Sequence, residues 1–224
     1  MIADRKQVPA RIAQQRNLKF KRDSVFRMNL ALGLEPYRHD AVFTQSPLTV
    51  KNPEAPWQNA TTSALLHRET AVTAFQYPFA MNLGDFHFGD SDGATRKTWF
   101  VHLLKAISEL NNVAGNHARS YFEMAPASIV VRLSESLVAG YETYGFRGDG
   151  TFPEVIEGIV KGDYAGSEFY IGGALVRTVM PPERQKELEE KGAHLYRMAA
   201  KALNAAAKAA CGTGFLAEPV EGTE

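Results

Sequence analysis

Four prolines fall within 21 residues of this chain and rule out a long helix there. They are Pro36, Pro47, Pro53 and Pro56, and they stand among Asn, Thr, Gln and Ser residues. Because proline fixes φ and lacks an N–H donor, we expect an extended excursion from the fold. The 224 residues therefore divide into a basic segment 1–35, an extended insertion 36–69, a core 70–215 and a flexible tail 216–224.

Composition narrows the class of protein. A hydrophobic content of 45% and a charged content of 22% are ordinary for a globular domain. No apolar run approaches the roughly 18 to 20 residues that a membrane span needs, and the N-terminal residues lack the apolar core of a secretory signal. Cys211 is the only cysteine, which excludes an intrachain disulfide and a multi-cysteine zinc site. We expect a cytoplasmic protein with no membrane partner.

Charge is balanced overall but unevenly distributed along the chain. Residues 1–30 carry eight basic and two acidic side chains, a net charge of +6, whereas residues 134–190 carry five basic and eleven acidic ones, a net charge of −6. Such a pattern suits binding to a polyanion or head-to-tail stacking of identical copies. Two solvated surfaces without a partner would give the same pattern.

Hydrophobic periodicity predicts five regular elements in the core. Strands are expected at residues 70–83, 128–133 and 167–175, and helices at residues 95–112 and 183–210. Strands and helices in this order are typical of an α+β fold.

The first predicted strand carries an apolar stripe at a period of two residues. The stripe consists of Phe75, Tyr77, Phe79, Met81 and Leu83. Aromatic side chains on a strand can stack on bases, but a stripe that continues into Met and Leu favours a buried face. Pro78 cannot donate a ladder hydrogen bond, so we expect a sheet edge or a bulge there. The apolar face of the following helix is expected to comprise Trp99, Leu103, Ile107 and Leu110.

The loop after this helix holds the residues best suited to a nucleic-acid backbone. Gly115 allows a close approach of main-chain N–H groups, Asn116 and His117 offer hydrogen bonds, and Arg119 offers a planar fork that fits phosphate. A helix cap, a turn and a surface ion pair would use the same residue types.

Catalytic and metal-binding alternatives are less well supported by the sequence. His117 could serve as the acid-base of a metal-free ribonuclease, but no second histidine or lysine is obviously paired with it. Four potential metal ligands lack the spacing of a calcium loop and are better explained as an acidic loop. They are Asp85, His87, Asp90 and Asp92. No phosphate-binding P-loop, GxGxxG or GxSxG motif is present.

The segment VAGNHARSYFEMAPASIVVRL, residues 113–133, resembles the DevR-type branch of the Cascade backbone subunits, in the Cas-seven family of the RAMP superfamily. Members of that branch have a helix, a GNHAR-like loop and a segment of the type F-x-P-x-S-(I/V)-V-x-R. The matching residues are Gly115, Asn116, His117, Ala118, Arg119, Phe122, Pro126, Ser128, Val130 and Arg132. The resemblance covers roughly residues 20–135.

The resemblance implies an RRM-like (ferredoxin-like) antiparallel sheet with helices on one face and a thumb-like insertion. It also implies a non-catalytic protein without cofactors that oligomerises along a CRISPR guide RNA. Other implied partners are target DNA through the guide, copies of the same chain, and further Cascade subunits. Family members carry a first strand before the matched segments, so this chain is either a compact variant or the C-terminal part of a longer protein.

Ten residues are the expected RNA contacts. They are Arg16, Lys19, Lys21, Arg22, Arg27, Arg68, Gly115, Asn116, His117 and Arg119. Two other functions remain open: an endoribonuclease that uses His117 to process CRISPR RNA, and a structural assembly subunit that does not touch RNA.

Overall fold

The computed structural model describes residues 23–38, 40–45, 65–70, 73–87, 92–111 and 124–216. The strands are β1 Phe26–Met28, β2 Leu32–Gly33, β3 Asp40–Gln45, β4 Leu65–Thr70, β5 Phe75–Gln76, β6 Phe79–Met81, β7 Ser128–Arg132, β8 Phe169–Gly173 and β9 His194–Tyr196. The helices are α1 Gly93–Ser108, α2 Pro153–Lys161, α3 Pro182–Glu190 and α4 Ala199–Cys211, with a π-helix at Leu175–Val179 and 3₁₀ turns at Leu83–Phe86 and Gly166–Glu168. The expected α+β class is confirmed.

A three-stranded sheet in the order β7-β8-β9 forms the centre of the fold. Strands β7 and β8 are antiparallel, with Ser128 opposite Gly173 and Arg132 opposite Phe169, which confirms both predicted strands. Strand β9 adds to β8 in parallel. A parallel neighbour requires a crossover of about a dozen residues or more, and residues 174–193 provide one through the π-helix and α3.

Helices cover both faces of this sheet. On one face, Ile129 and Tyr170 join a first cluster of buried side chains contributed mainly by α1 and α4. On the other face, Phe169 and Ile171 join a second cluster contributed by α2, α3 and the π-helix. The family resemblance implied helices on one face only. The second layer comes largely from α2, which we did not predict because its apolar pattern between Pro153 and Gly162 is short.

The pair Gly172-Gly173 lets α4 pack closely against the centre of the sheet. A Cβ atom on Gly172 would lie 2.7 Å from Ala202 Cβ, so any larger residue would push the helix away. Gly173 has φ +92, and a Cβ there would lie 2.1 Å from the carbonyl oxygen of Ala127. The strand predicted to break at its glycine pair instead runs through both glycines, which pair with Ile129 and Ser128, and ends at Gly173.

The single helix predicted for residues 183–210 is wrong. Helix α3 ends at Glu190, β9 follows, and α4 begins only at Ala199. Gly192 adopts φ +88, and the N–H of Ala193 donates to the carbonyl of Leu188 at 2.9 Å, which closes the turn after α3. High helix propensity on both sides of Gly192 concealed this break.

The predicted strand at 70–83 is divided into β5 and β6, which pair with β2 and β1 respectively. Met28 lies opposite Phe79 and Leu32 opposite Gln76, so residues 29–31 face only residues 77–78. This extra residue is a β-bulge beside Pro78, and the predicted bulge is confirmed.

The apolar faces of this strand and of α1 are only partly as predicted. Phe79, Met81 and Leu83 pack against the first cluster, but Phe75 is 51% exposed because β5 has only β2 as a sheet neighbour among the described residues. Helix α1 starts two residues earlier than predicted and buries Phe100, Val101 and Leu104. Trp99 is 54% exposed, because the ring of Phe100 packs on that of Phe86 and turns the neighbouring position outward.

Candidate nucleic-acid interface

Two of the ten expected RNA contacts lie in the part of the chain that the structure describes. Arg27 is in β1, and Arg68 is in β4, where its backbone lies opposite Val42. The other eight lie outside the described residues: Arg16, Lys19, Lys21, Arg22, Gly115, Asn116, His117 and Arg119. Their role as an RNA-binding set therefore stays a prediction.

Arg27 projects from the solvent side of the β1-β6 ladder. It pairs with the exposed Ala80, whereas Phe26 on the opposite side has its ring 5.4 Å from that of Phe79. Arg27 forms no ion pair with another described residue. Its charge is thus available to a polyanion beside the start of β1.

The ends of the segment predicted to be an insertion form a two-stranded ladder. Strands β3 and β4 are antiparallel over six residue pairs, from Asp40 opposite Thr70 to Gln45 opposite Leu65. Residues 46–64, which lie outside the described residues, therefore leave and rejoin the fold at the same end of this ladder. The boundaries proposed for the insertion, 36–69, cover this ladder except for Thr70, the last residue of β4.

The chain on either side of the segment that contains Gly115 and Arg119 is joined by a backbone hydrogen bond. The N–H of Met124 donates to the carbonyl of Leu110 at 2.7 Å and thereby joins the start of the β7 segment to the end of α1. Residues 112–123, between these two anchors, lie outside the described residues. Leu110 and Met124, the described residues closest to the GNHAR sequence on either side that are linked in this way, therefore meet at the end of α1.

The second half of the sequence motif forms part of the framework. The hydroxyl of Ser128 accepts a hydrogen bond from the N–H of Leu175 at 2.9 Å, which fixes β7 to the π-helix. Val130 packs against the second cluster. These contacts position the strand that follows the segment 112–123.

Arg132, the last residue of the motif, is held by a half-buried set of contacts. Its Nε lies 2.7 Å from Glu168 Oε2, and its Nη1 donates to the carbonyl of Ala139. The guanidinium carbon lies 5.5 Å from the ring centre of Tyr164 and 5.4 Å from that of Phe169. Only 17% of the Arg132 side chain is exposed, so this residue stabilises the loop after β7 and is not a phosphate contact.

The two helical layers differ in charge. Helices α1 and α4 contain no acidic residue and five basic ones: Arg96, Lys97, Lys105, Lys201 and Lys208. Helices α2 and α3 contain six glutamates, Glu154, Glu157, Glu183, Glu187, Glu189 and Glu190, against Lys161, Arg184 and Lys186. One face of the molecule is therefore basic and the other acidic, an arrangement that favours contact of the α1 and α4 layer with a polyanion.

Sequence reasoning recognised the acidic stretch but missed the basic layer. The signal was present as two segments without any acid, residues 93–108 and 199–211. It was missed because the two segments are distant in sequence and meet only when α1 packs on α4. Within this layer Arg96 has a structural role, since it lies 3.8 Å from Asp92 and donates to the carbonyl of Phe86.

Neither a metal site nor a membrane span emerges from the described residues. They contain no group of three or more His, Cys, Asp or Glu side chains that could hold a metal ion. Of the four acidic-loop residues, Asp85, His87 and Asp92 are described, whereas Asp90 lies outside. No helix in the described part of the chain is long and apolar enough to cross a membrane.

The fold and the charge distribution define an α+β protein with a basic helical layer and two attached segments, 46–64 and 112–123. No family model matches the chain. A protein of Myxococcus xanthus (strain DK1622) described as "CRISPR-associated protein Cas7/Cst2/DevR" is 24% identical to it over 192 residues. The match covers 84% of this chain and 59% of that protein, so the chain spans about three fifths of the relative's length. This similarity supports the resemblance to CRISPR-associated proteins of the Cas-seven type.

Proposed function

We propose that this chain is a non-catalytic subunit that binds CRISPR guide RNA in an interference complex of the Cascade type. The similarity to the Myxococcus protein over 84% of the chain is the observation that carries the proposal. The guide RNA would contact the loop Gly115–Arg119 and the basic residues of the N-terminal segment. Sequence would be read through base pairing of the guide with target DNA, so the protein needs contacts mainly to the sugar-phosphate backbone.

The charge distribution supports this role. The flanks of segment 112–123, Leu110 and Met124, meet at the end of α1, and α1 belongs to the basic layer, so RNA bound by this segment would approach positive charge. The opposite layer carries a net charge of −3, from six acidic and three basic side chains. In a head-to-tail array, this acidic layer of one copy would face a basic surface of the next. Other subunits of the complex would bind at the ends of such an array.

The proposal is tested by RNA binding of the purified chain. Arg119→Ala is expected to weaken binding of RNAs of unrelated sequence by the same factor, because a phosphate contact carries no sequence information. Arg177→Ala is the matched control, since Arg177 is exposed in the π-helix on the acidic side. A loss confined to one RNA sequence, or an equal loss in both variants, would contradict the proposed role of the loop.

The same preparation distinguishes the two other functions. Cleavage of a CRISPR repeat RNA that disappears in His117→Ala would establish an endoribonuclease in place of a non-catalytic subunit. Association into oligomers without any RNA affinity would establish a structural assembly subunit. Size-exclusion chromatography with absorbance at 260 and 280 nm reports both association and copurified RNA.

A further inference from the structure

A pocket with a mixed polar and apolar lining lies between α1 and the chain that follows α4. It has a volume of about 280 Å³ and is lined by Thr98, Val101, His102, Lys105, Thr213, Gly214 and Phe215. This volume falls just below the range of about 300 to 1,000 Å³ typical of small-molecule sites, so the pocket suits a small group better than a whole cofactor.

The pocket is rich in hydrogen-bond donors and has no carboxylate in its lining. His102 and Lys105 are one helical turn apart and are both exposed, and neither forms an ion pair with a described residue. Glu109 follows Lys105 by one turn without pairing with it.

The far wall of the pocket is fixed by Asn204. Its side-chain oxygen accepts hydrogen bonds from the N–H groups of Phe215 at 2.6 Å and Leu216 at 2.8 Å. Gly212, with φ +78, ends α4 and turns the chain back toward α1. The wall opposite His102 and Lys105 is thus preorganised, which lowers the entropy lost when a ligand binds.

We propose that this pocket binds one phosphate group of a single-stranded nucleic acid. Lys105 supplies a point charge, and His102 and the hydroxyl of Thr213 supply hydrogen bonds, a combination suited to a phosphate oxyanion. The hydroxyl of Thr98 already donates to the carbonyl of Ala94. Lys105 lies three residues before the end of α1 at Ser108, about 4.5 Å of helix at 1.5 Å per residue, and five residues before Leu110, whose carbonyl accepts from the N–H of Met124. The inference rests on the proposed function in that it places this phosphate on the same strand that the Gly115–Arg119 loop holds.

The first test is the salt dependence of binding to single-stranded RNA. Lys105→Ala is expected to lower affinity about tenfold, equivalent to ~1.4 kcal/mol, and to reduce the slope of log K against log salt by about 0.7. Lys201→Ala is the matched control, because Lys201 is an exposed lysine of the same basic layer that does not line the pocket. An equal effect of both substitutions would show a diffuse basic surface and would overturn the pocket.

The second test does not depend on RNA. Titration of the ¹⁵N-labelled chain with inorganic phosphate should shift the amide signals of Thr213 and Gly214 in a saturable way, and Lys105→Ala should abolish the saturation. RNA binding that is lost in Arg119→Ala but unchanged in Lys105→Ala, without phosphate-induced shifts, would refute the pocket and leave the proposed function intact. Absence of RNA binding by the unaltered chain would refute the proposed function, and the phosphate titration alone would then decide the pocket.

Discussion

Replacing Arg132 with methionine removes three kinds of contact at one position while keeping a long, unbranched side chain. The substitution removes the ion pair with Glu168, the hydrogen bond to the carbonyl of Ala139, and the stacking of the guanidinium on Tyr164 and Phe169. It also leaves the Glu168 carboxylate without its basic partner. We expect the substitution to destabilise the fold without removing a nucleic-acid contact.

The expected loss of unfolding free energy follows from these contacts. A charge-assisted hydrogen bond contributes about 1.5 to 3 kcal/mol, and each cation–π contact adds roughly 0.5 to 1 kcal/mol. Methionine recovers part of the apolar contact. Because the Glu168 side chain is 30% exposed, water can solvate it, and the loss should stay below the 3 to 5 kcal/mol of a fully buried pair. The net expectation is about 2 to 3 kcal/mol.

Urea unfolding followed by circular dichroism measures this loss, provided that the slope with urea is unchanged. Glu168→Gln is the control that keeps the shape and one acceptor oxygen, and it should cost about 1 kcal/mol. The double variant should be less destabilised than the sum of the two single ones, since both disrupt the same pair. A loss below about 0.5 kcal/mol for Arg132→Met would refute the structural role assigned to this residue.

Four further substitutions test other details of the fold. Gly173→Ala should cost at least ~3 kcal/mol, because a Cβ would collide with a backbone carbonyl oxygen at φ +92. Gly162→Ala, with φ +87 and no atom within 4 Å, should cost only about 1 to 2 kcal/mol, and equal losses in urea unfolding would contradict the packing described. Tyr77→Phe should be neutral or stabilise by about 1 kcal/mol, because this buried hydroxyl has no partner among the described residues and burial raises its pKa; a clear loss of stability would reveal a hidden partner. The hydroxyl and the N–H of Thr151 both donate to the Asp149 carboxylate and hold its pKa below the ordinary value of 3.8. These hydrogen bonds therefore stabilise the fold above that pH, and the stabilisation is lost as the pH falls through the lowered pKa. In Thr151→Val, an NMR titration should find the pKa of Asp149 raised, and an unchanged pKa would exclude the hydroxyl as its main cause.

The elements that could be predicted are those whose pattern is local. The strand at residues 128–133 could be predicted from its β-branched residues alone. The bulge at Pro78 could be predicted because proline has no N–H to donate to a sheet. The prediction of a single helix at 183–210 was wrong because the helix propensity of the whole segment outweighed the effect of Gly192. In the folded chain, residues 194–196 instead form a strand that pairs with β8. Pairing with a distant strand is a tertiary effect that local composition does not contain.

The candidate site was predicted only in part, for a similar reason. The residues Gly115 to Arg119 were identified from their chemistry and from the family resemblance. The structure adds that the flanks of their segment, Leu110 and Met124, are hydrogen-bonded to each other at the end of α1. Arg132, which matched the same motif, proved to have a structural role because Glu168 reaches it from 36 residues away. The pocket at Lys105 combines two segments that are more than 100 residues apart in sequence, and no motif joins them.

The most direct test of the central claim is the affinity of the purified chain for guide RNA across a salt series. If the chain grips the RNA backbone through several phosphates, log K should fall linearly with log salt, with a slope of about −0.7 for each phosphate contacted. Affinity should also be similar for guides of unrelated sequence and should be lower in Arg119→Ala. Binding that is absent, or that does not change with salt, would contradict the proposal that this chain binds guide RNA.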